Sequence, residues 1–299
     1  MLHTKLIAPG VMHVDLGGQD NAWILADGTF DTNAEADLAP TEKGAELRQL
    51  LGRSGLATNP FTLNVSVVLL RWRGQYVLID AGCGTAYGPT LGFLAQRLKA
   101  LSITPAEINA VVFTHLHPDH IAGAVDAQAK QVAFPNARFY AHKKEFDFWQ
   151  AEAPDLSGAR IDEKRKAGVL GMVKNSLAVL APKVEVFNVG DEPIPGLKSV
   201  PVFGHTPHQV GFVIKSENGT LINAGDTFLD PTIHVPHPEW TLASDTAPEL
   251  QLATRRGLLE FAVKENAAVF CAHFPNPSFG YVLPAGEGFI YEPARWTYA

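Results

Sequence analysis

Positive charge and sulfur are both scarce in this chain. Lysine and arginine total 24 against 31 aspartates and glutamates, giving a formal net charge of −7 and a sequence pI near 5.9. Nonspecific binding to a phosphate backbone needs a basic patch, so no nucleic-acid partner is expected. The densest basic run, Lys164-Arg165-Lys166, is short, follows Asp162-Glu163 and reads as a solvated helix face. Only two cysteines occur, Cys83 and Cys271, and they form no CxxC spacing. One pair is a poor disulfide framework for so long a chain, so reduced thiols and a cytoplasmic location are expected. No apolar run reaches the ~18 residues that a membrane span needs, so no membrane partner is expected. The stretch from Met1 to Gly10 also lacks the apolar core of a secretory signal.

What is present suits a globular protein. Hydrophobic residues make up 46% of the 299, enough for a sizeable core, and no linker or repeat divides the chain. A single domain over residues 1–299 is expected, with helices covering packed sheets. Strands are expected within 11–30, at 63–71 and 75–80, before residue 114, and at 138–141, 184–189, 198–203, 209–215 and 220–223. A last strand is expected at 267–272. Helical periodicity covers 41–52, 90–101, 142–150, 161–181 and 250–265. Thr104-Pro105-Ala106-Glu107 reads as a helix start. Residues 31–60, rich in Ala, Thr, Asn, Gly and Pro, read as a surface segment.

The chemistry concentrates in Thr114-His115-Leu116-His117-Pro118-Asp119-His120, directly after the apolar run Ala110-Val111-Val112-Phe113. Imidazole and carboxylate are the usual nitrogen and oxygen ligands of zinc. The adjacent Asp119 and His120 are badly placed to join His115 and His117 on one ion, so the cluster suggests two. The same context recurs downstream. His205 follows Val202-Phe203-Gly204, Asp226 follows Leu221-Ile222-Asn223-Ala224-Gly225, and His273 follows Val269-Phe270-Cys271-Ala272. A lone histidine after a strand is more often a capping group than a ligand. Four strand ends that each carry a donor form a pattern that scattered surface residues rarely produce.

The run His115-x-His117-x-Asp119-His120 resembles the signature of the metallo-β-lactamase superfamily. Gly204-His205-Thr206-Pro207, Gly225-Asp226 and Ala272-His273 resemble its later motifs, in the same order, and Asp80-x-Gly82 matches an upstream loop. The resemblance covers roughly residues 60–280. It implies an α/β fold, an αββα sandwich of two mixed β-sheets flanked by helices, with metals at one edge. It implies that His115, His117 and His205 hold one metal and that Asp119, His120 and His273 hold the other. Asp226 and a hydroxide would then bridge the two, with Asp119 as the catalytic residue that aims the hydroxide. Asp80 would orient ligands without binding metal. Two divalent ions per chain are implied; zinc suits the donors, and manganese, cobalt or iron can occupy similar sites.

Asp226 argues against the β-lactamases proper, which generally lack a bridging aspartate there. Little chain follows His273, too little for the helical domain of a glyoxalase, and no flavodoxin-like or nuclease domain is evident. Gly88-Pro89-Thr90-Leu91-Gly92, Ala141-His142-Lys143-Lys144-Glu145-Phe146 and His237-Pro238-Glu239-Trp240 resemble methyl parathion hydrolase and related lactonases and arylesterases. A dinuclear hydrolase of lactones, aryl esters or organophosphate triesters is therefore expected. The alternative is an iron-dependent oxidoreductase of the same fold, similar to persulfide dioxygenases. Phe30, His234, Trp240 and Phe274 are candidate substrate contacts, with Phe279 and His237 as further pocket candidates. His208 stands where related proteins carry glycine and is expected to bond backbone. A homodimer is expected on base rates.

Overall fold

Val67, Val68, Leu69 and Leu70 are all buried, yet they serve different layers. Val68 and Leu70 point into the packing between two sheets, and Val67 and Leu69 point toward covering helices. Side chains of a strand alternate faces, so an unbroken apolar run marks a strand covered on both sides. The same division recurs in the other sheet, where Leu221 faces inward and Ile222 faces the outer helix.

The computed structural model describes residues 2–299. One sheet has nine strands. In spatial order they are Val184–Phe187, Arg138–His142, Ile108–Val112, Gln75–Ile79, Phe61–Trp72, Asp20–Thr32, Val11–Gly17, His3–Ala8 and Thr297–Tyr298. The first four run parallel and the middle strands antiparallel. The other sheet orders Leu197–Pro201, Val210–Ser216, Gly219–Asn223, Ala268–Phe270, Phe279–Ala285 and Gly288–Pro293, with one parallel pair. The helices Leu94–Ala100, Lys143–Gln150 and Glu163–Leu180 cover the first sheet through Leu98, Trp149 and Leu177. Pro248–Glu265 covers the second through Leu258, Leu259 and Ala262. The layers are thus helix, mixed sheet, mixed sheet, helix, as expected.

Parallel pairing places the ends of Gln75–Ile79, Ile108–Val112 and Arg138–His142 at one edge of the first sheet. Gly219–Asn223 and Ala268–Phe270 end together in the second. Backbone bonds from Val210 N to Thr114 O and from Ser66 N to Ala272 O, each 2.9 Å, stitch the two sheets there.

Three local expectations are corrected. Thr104 and Glu107 do form the reciprocal capping box, but the helix stops after one 3₁₀ turn, Pro105–Glu107. The next residues, Ile108 to Val112, pair with two strands, and that tertiary pairing overrides the start signal. Ala268–Phe270 is not the last strand, because a hairpin joins Phe279–Ala285 to Gly288–Pro293. A strand also forms at His3–Ala8. The 31–60 segment is not merely superficial: Ala34, Leu38, Leu47 and Leu51 pack with Ile233, Trp240 and Leu242 in a core of their own. Among the described residues, no helix is long and apolar enough to cross a membrane.

Candidate metal centre

The donors lie in the segments that follow four strands, Ile108–Val112, Leu197–Pro201, Gly219–Asn223 and Ala268–Phe270. Thr114 and His115 follow Ile108–Val112, and His117 then caps the short helix Pro118–Ile121. Proline at the first helical position presets that turn. The chain therefore changes from extended to helical inside the motif, and Asp119 and His120 separate from His115 and His117. Two groups of donors result: His115, His117 and His205, and Asp119, His120, Asp226 and His273. Within each group the donor atoms lie within 4.8 Å of one another.

Asp226 touches both groups. Its Oδ2 lies 2.9 Å from His273 Nε2, 3.5 Å from His205 Nε2 and 3.9 Å from His115 Nε2, and its Oδ1 lies 3.3 Å from His120 Nε2. Asp119 Oδ2 is 3.3 Å from His273 Nε2, and His117 Nδ1 is 2.8 Å from His205 Nε2.

Four of the histidines are anchored through the opposite ring nitrogen. The partners of Nδ1 are Thr114 Oγ1 for His115 (3.1 Å), Asp80 Oδ2 for His120 (3.0 Å), Asp245 Oδ1 for His205 (3.0 Å) and Asn64 O for His273 (2.6 Å). Outer partners of this kind fix ring orientation at metal sites and leave Nε2 pointing inward. His115 Nε2, His120 Nε2 and Asp226 Oδ1 are buried without a hydrogen-bond partner. Orphaned buried polar atoms are rare. Three of them converging among imidazoles and carboxylates fit a divalent cation.

Electrostatics divides the two groups. Burial and the neighbouring imidazoles hold His115 well below the usual histidine range, and burial beside His205 takes His117 down to about 3. In the other group burial opposes charge but is outweighed. Asp226 and Asp119 raise His273 to about 10, and Asp226 and Asp80 raise His120 well above its ordinary value. The carboxylates move the other way. Against burial, His120 and His273 bring Asp119 down to about 2 and hold Asp226 well below the carboxylate range.

Asp80 sits in the left-handed region at φ 63°. That conformation costs a non-glycine residue about 1–2 kcal/mol. Its carboxylate accepts hydrogen bonds from Thr114 N and Thr114 Oγ1, both at 2.8 Å, and also contacts His120. Asp80 thus fixes both the start and the end of the His115–His120 turn without facing the centre. Asp245 is fixed in turn by Leu242 N (2.8 Å) and Gln251 Nε2 (3.1 Å). Gly204 makes room for that arrangement, since a Cβ there would lie 2.7 Å from Gln251 Cδ.

Five of the seven donors, His117, Asp119, His205, Asp226 and His273, form the floor of a cavity of about 510 Å³. Phe30, Leu63, Trp149, Val169 and Met172 give it apolar walls, and Tyr87 lines it as well. Phe30 lies in a strand, edge-on to His273 at 5.8 Å between ring centroids. Arg165 and Lys166 line the cavity too, and Arg165 pairs with Asp37 at 2.6 Å, so that basic run is not simply a solvated face.

The other candidate contacts are corrected. His234 is fully buried, with Nε2 2.9 Å from Leu38 O and Nδ1 3.1 Å from Asp230 O. Trp240 packs in the core of the 31–60 segment and stacks on His237 at 4.2 Å. Phe274 packs behind the second sheet, and Phe279 pairs with Phe270 in the packing between the sheets. None of these lines the cavity. His208 contributes its carbonyl, 2.9 Å from His142 Nδ1. Asp245, Trp149 and Glu145 were not anticipated from sequence. Isolated acids and aromatics on a loop or helix carry no local mark of their function.

The sequence model of the metallo-beta-lactamase superfamily matches residues 61–273, a stretch that holds all seven donors. Among curated proteins the chain is similar to the ribonuclease Z of Pyrobaculum aerophilum, 32% identical over 74 residues, covering 25% of this chain and 23% of that protein. It is also similar to the ribonuclease Z of Mycolicibacterium gilvum, 28% identical over 182 residues, covering 53% and 54%. The chain thus spans about a quarter to a half of the length of these curated relatives. Among solved structures it superposes on AidC, a dizinc quorum-quenching lactonase holding the product N-hexanoyl-L-homoserine. The TM-score is 0.88 at 26% identity, covering 96% of this chain and 98% of that one. The hydrolase AbOPH of the β-lactamase superfamily gives a TM-score of 0.83 at 22% identity, covering 98% and 97%, and shares the fold.

Proposed function

The chain belongs to the metallo-β-lactamase superfamily, and on that premise we propose that it is a two-metal hydrolase of lactones, with aryl esters and organophosphate triesters as further substrates. The observation that carries this reading is the placement of Asp226 within 3.9 Å of donor atoms in both groups, at the floor of an apolar cavity. His115, His117 and His205 would hold one ion, Asp119, His120 and His273 the other, and Asp226 both. Two divalent ions held there, zinc by donor chemistry, would supply a nucleophilic water of lowered pKa and Lewis-acid polarisation of the scissile carbonyl or phosphoryl oxygen.

The protein's own residues do the rest. Asp119, whose carboxylate lines the cavity beside His273, is an acceptor that can orient the attacking water. Phe30 and Trp149 offer an apolar surface to an acyl or aryl group and keep bulk water from the floor. The similarity to a lactonase at 26% identity supports placing lactones first.

A hydrolysis panel tests this reading. Acyl-homoserine lactones, p-nitrophenyl esters, methyl parathion and bis(p-nitrophenyl) phosphate are offered to one metal-loaded sample. Turnover is expected on the lactones and on at least one of the next two. Inactivity on all of them despite full loading would contradict the proposal. Preference for the phosphodiester would instead favour a nuclease-like activity.

A further inference from the structure

We propose that Glu145 is the positioning residue of the first donor group, setting the spacing of its two loops and tying them to the Trp149 wall of the cavity. This rests on the two-metal reading above. Glu145 lies in the helix Lys143–Gln150 and is 1% exposed. Its Oε1 accepts hydrogen bonds from Leu116 N at 3.2 Å and Trp149 Nε1 at 2.8 Å, and its Oε2 accepts from Thr206 Oγ1 at 2.8 Å.

These three donors come from three different places. Leu116 lies between His115 and His117. Thr206 follows His205. Trp149, one helical turn beyond Glu145, packs edge-on against His117 at 5.4 Å between ring centroids and lines the cavity. Every member of the first group is therefore one residue, or one ring contact, from a partner of this carboxylate. No member of the second group contacts Glu145 in any of its hydrogen bonds.

A carboxylate is a costly choice for filling space. Burying one costs several kcal/mol unless its oxygens are satisfied. What this carboxylate gains is a fixed distance between a strand tip of the first sheet and a loop of the second. A group that merely filled the core would lower stability without distinguishing the two metal sites. A group that positions the first site affects that site selectively.

Wild type, Glu145→Gln and Glu145→Ala are stripped and titrated with cobalt(II). The visible absorption of cobalt and competition with a chelator give the two binding steps. Asp119→Ala, which removes a donor of the second group, identifies which step belongs to which group. Glu145→Ala is expected to weaken the first-group step by about 10- to 100-fold, the usual cost of losing an outer partner of metal ligands. The other step is expected to stay within about threefold. Glu145→Gln is expected to retain both steps, because its carbonyl can accept from Leu116 and Trp149 while its amide donates to the Thr206 hydroxyl.

Equal weakening of both steps, no weakening, or a glutamine variant as weak as the alanine variant would overturn the proposal. Should Glu145→Ala fail to fold, Thr206→Val removes one arm alone. A smaller loss confined to the first-group step is then expected, and an unchanged step would overturn the proposal. Wild type binding a single ion would defeat the two-metal reading, and the Glu145 effect would still be measured on that one step.

Discussion

Asp226→Ala is expected to lower kcat/KM by roughly three orders of magnitude, equivalent to about 4 kcal/mol of transition-state stabilisation. Asp226 lies beside donors of both groups: His115 and His205 in one, His120 and His273 in the other. Its loss removes a ligand from both proposed ions and the negative charge between them. Metal content and turnover should fall together. Asp226→Asn, which keeps the shape and one oxygen but loses the charge, should fall almost as far. Steady-state kinetics beside elemental analysis decides the matter. Full activity in the alanine variant would remove Asp226 from the mechanism.

Metal removal is expected to have the other large effect, with a pH dependence that differs between the two groups. His115 and His117 sit below the usual histidine range, His117 at about 3, so both are neutral near pH 7 and an ion displaces no proton from them. His120 and His273 are raised, His273 to about 10, so in the metal-free protein they carry protons that an ion must displace. Affinity of the second group should therefore fall as pH falls, by about tenfold per pH unit for each displaced proton. His115 and His117, already neutral there, should add little pH dependence to the first group between about pH 6 and 8.

In the chelated protein the raised His273 favours folding below its unfolded value near 6.5, and that contribution fades as pH rises through about 10. The metal-free form therefore loses this support at alkaline pH, where metal binding is tightest. Reloading at a hundred times the dissociation constant should restore about 3 kcal/mol per site. Chelator competition across pH, followed by turnover and thermal unfolding, measures each part. Equal pH slopes at the two sites would contradict this division.

The donors were legible in the sequence for a physical reason. A buried strand reads as an apolar run, the residue after it must lie at the sheet edge, and a histidine or aspartate there stands out. His115, His117, Asp119, His120, His205, Asp226 and His273 all have that local mark, and the structure brings them together. The apolar runs likewise made the two-sheet architecture legible. Facing, however, is not written locally. Phe274 and Phe279 lie near the strand that delivers His273, yet both turn into cores. Phe30, also aromatic, reaches the cavity because it lies on a strand at the floor.

Outer partners were the least legible. Asp245 and Glu145 come from loops and helices far along the chain, and only the fold brings them within 3.0 Å of His205 Nδ1 and 2.8 Å of Thr206 Oγ1. The 31–60 segment misled through composition. Its small and polar residues suggest surface, while a few leucines spaced along it pack against Trp240.

The most direct test of a two-metal hydrolase is to count the metal. Protein purified without chelator, reloaded with zinc and freed of excess should hold close to two ions per chain by elemental analysis. Lactone turnover should rise with the second ion bound. Fewer than half an ion per chain after reloading, or full turnover in protein stripped of metal, would contradict it.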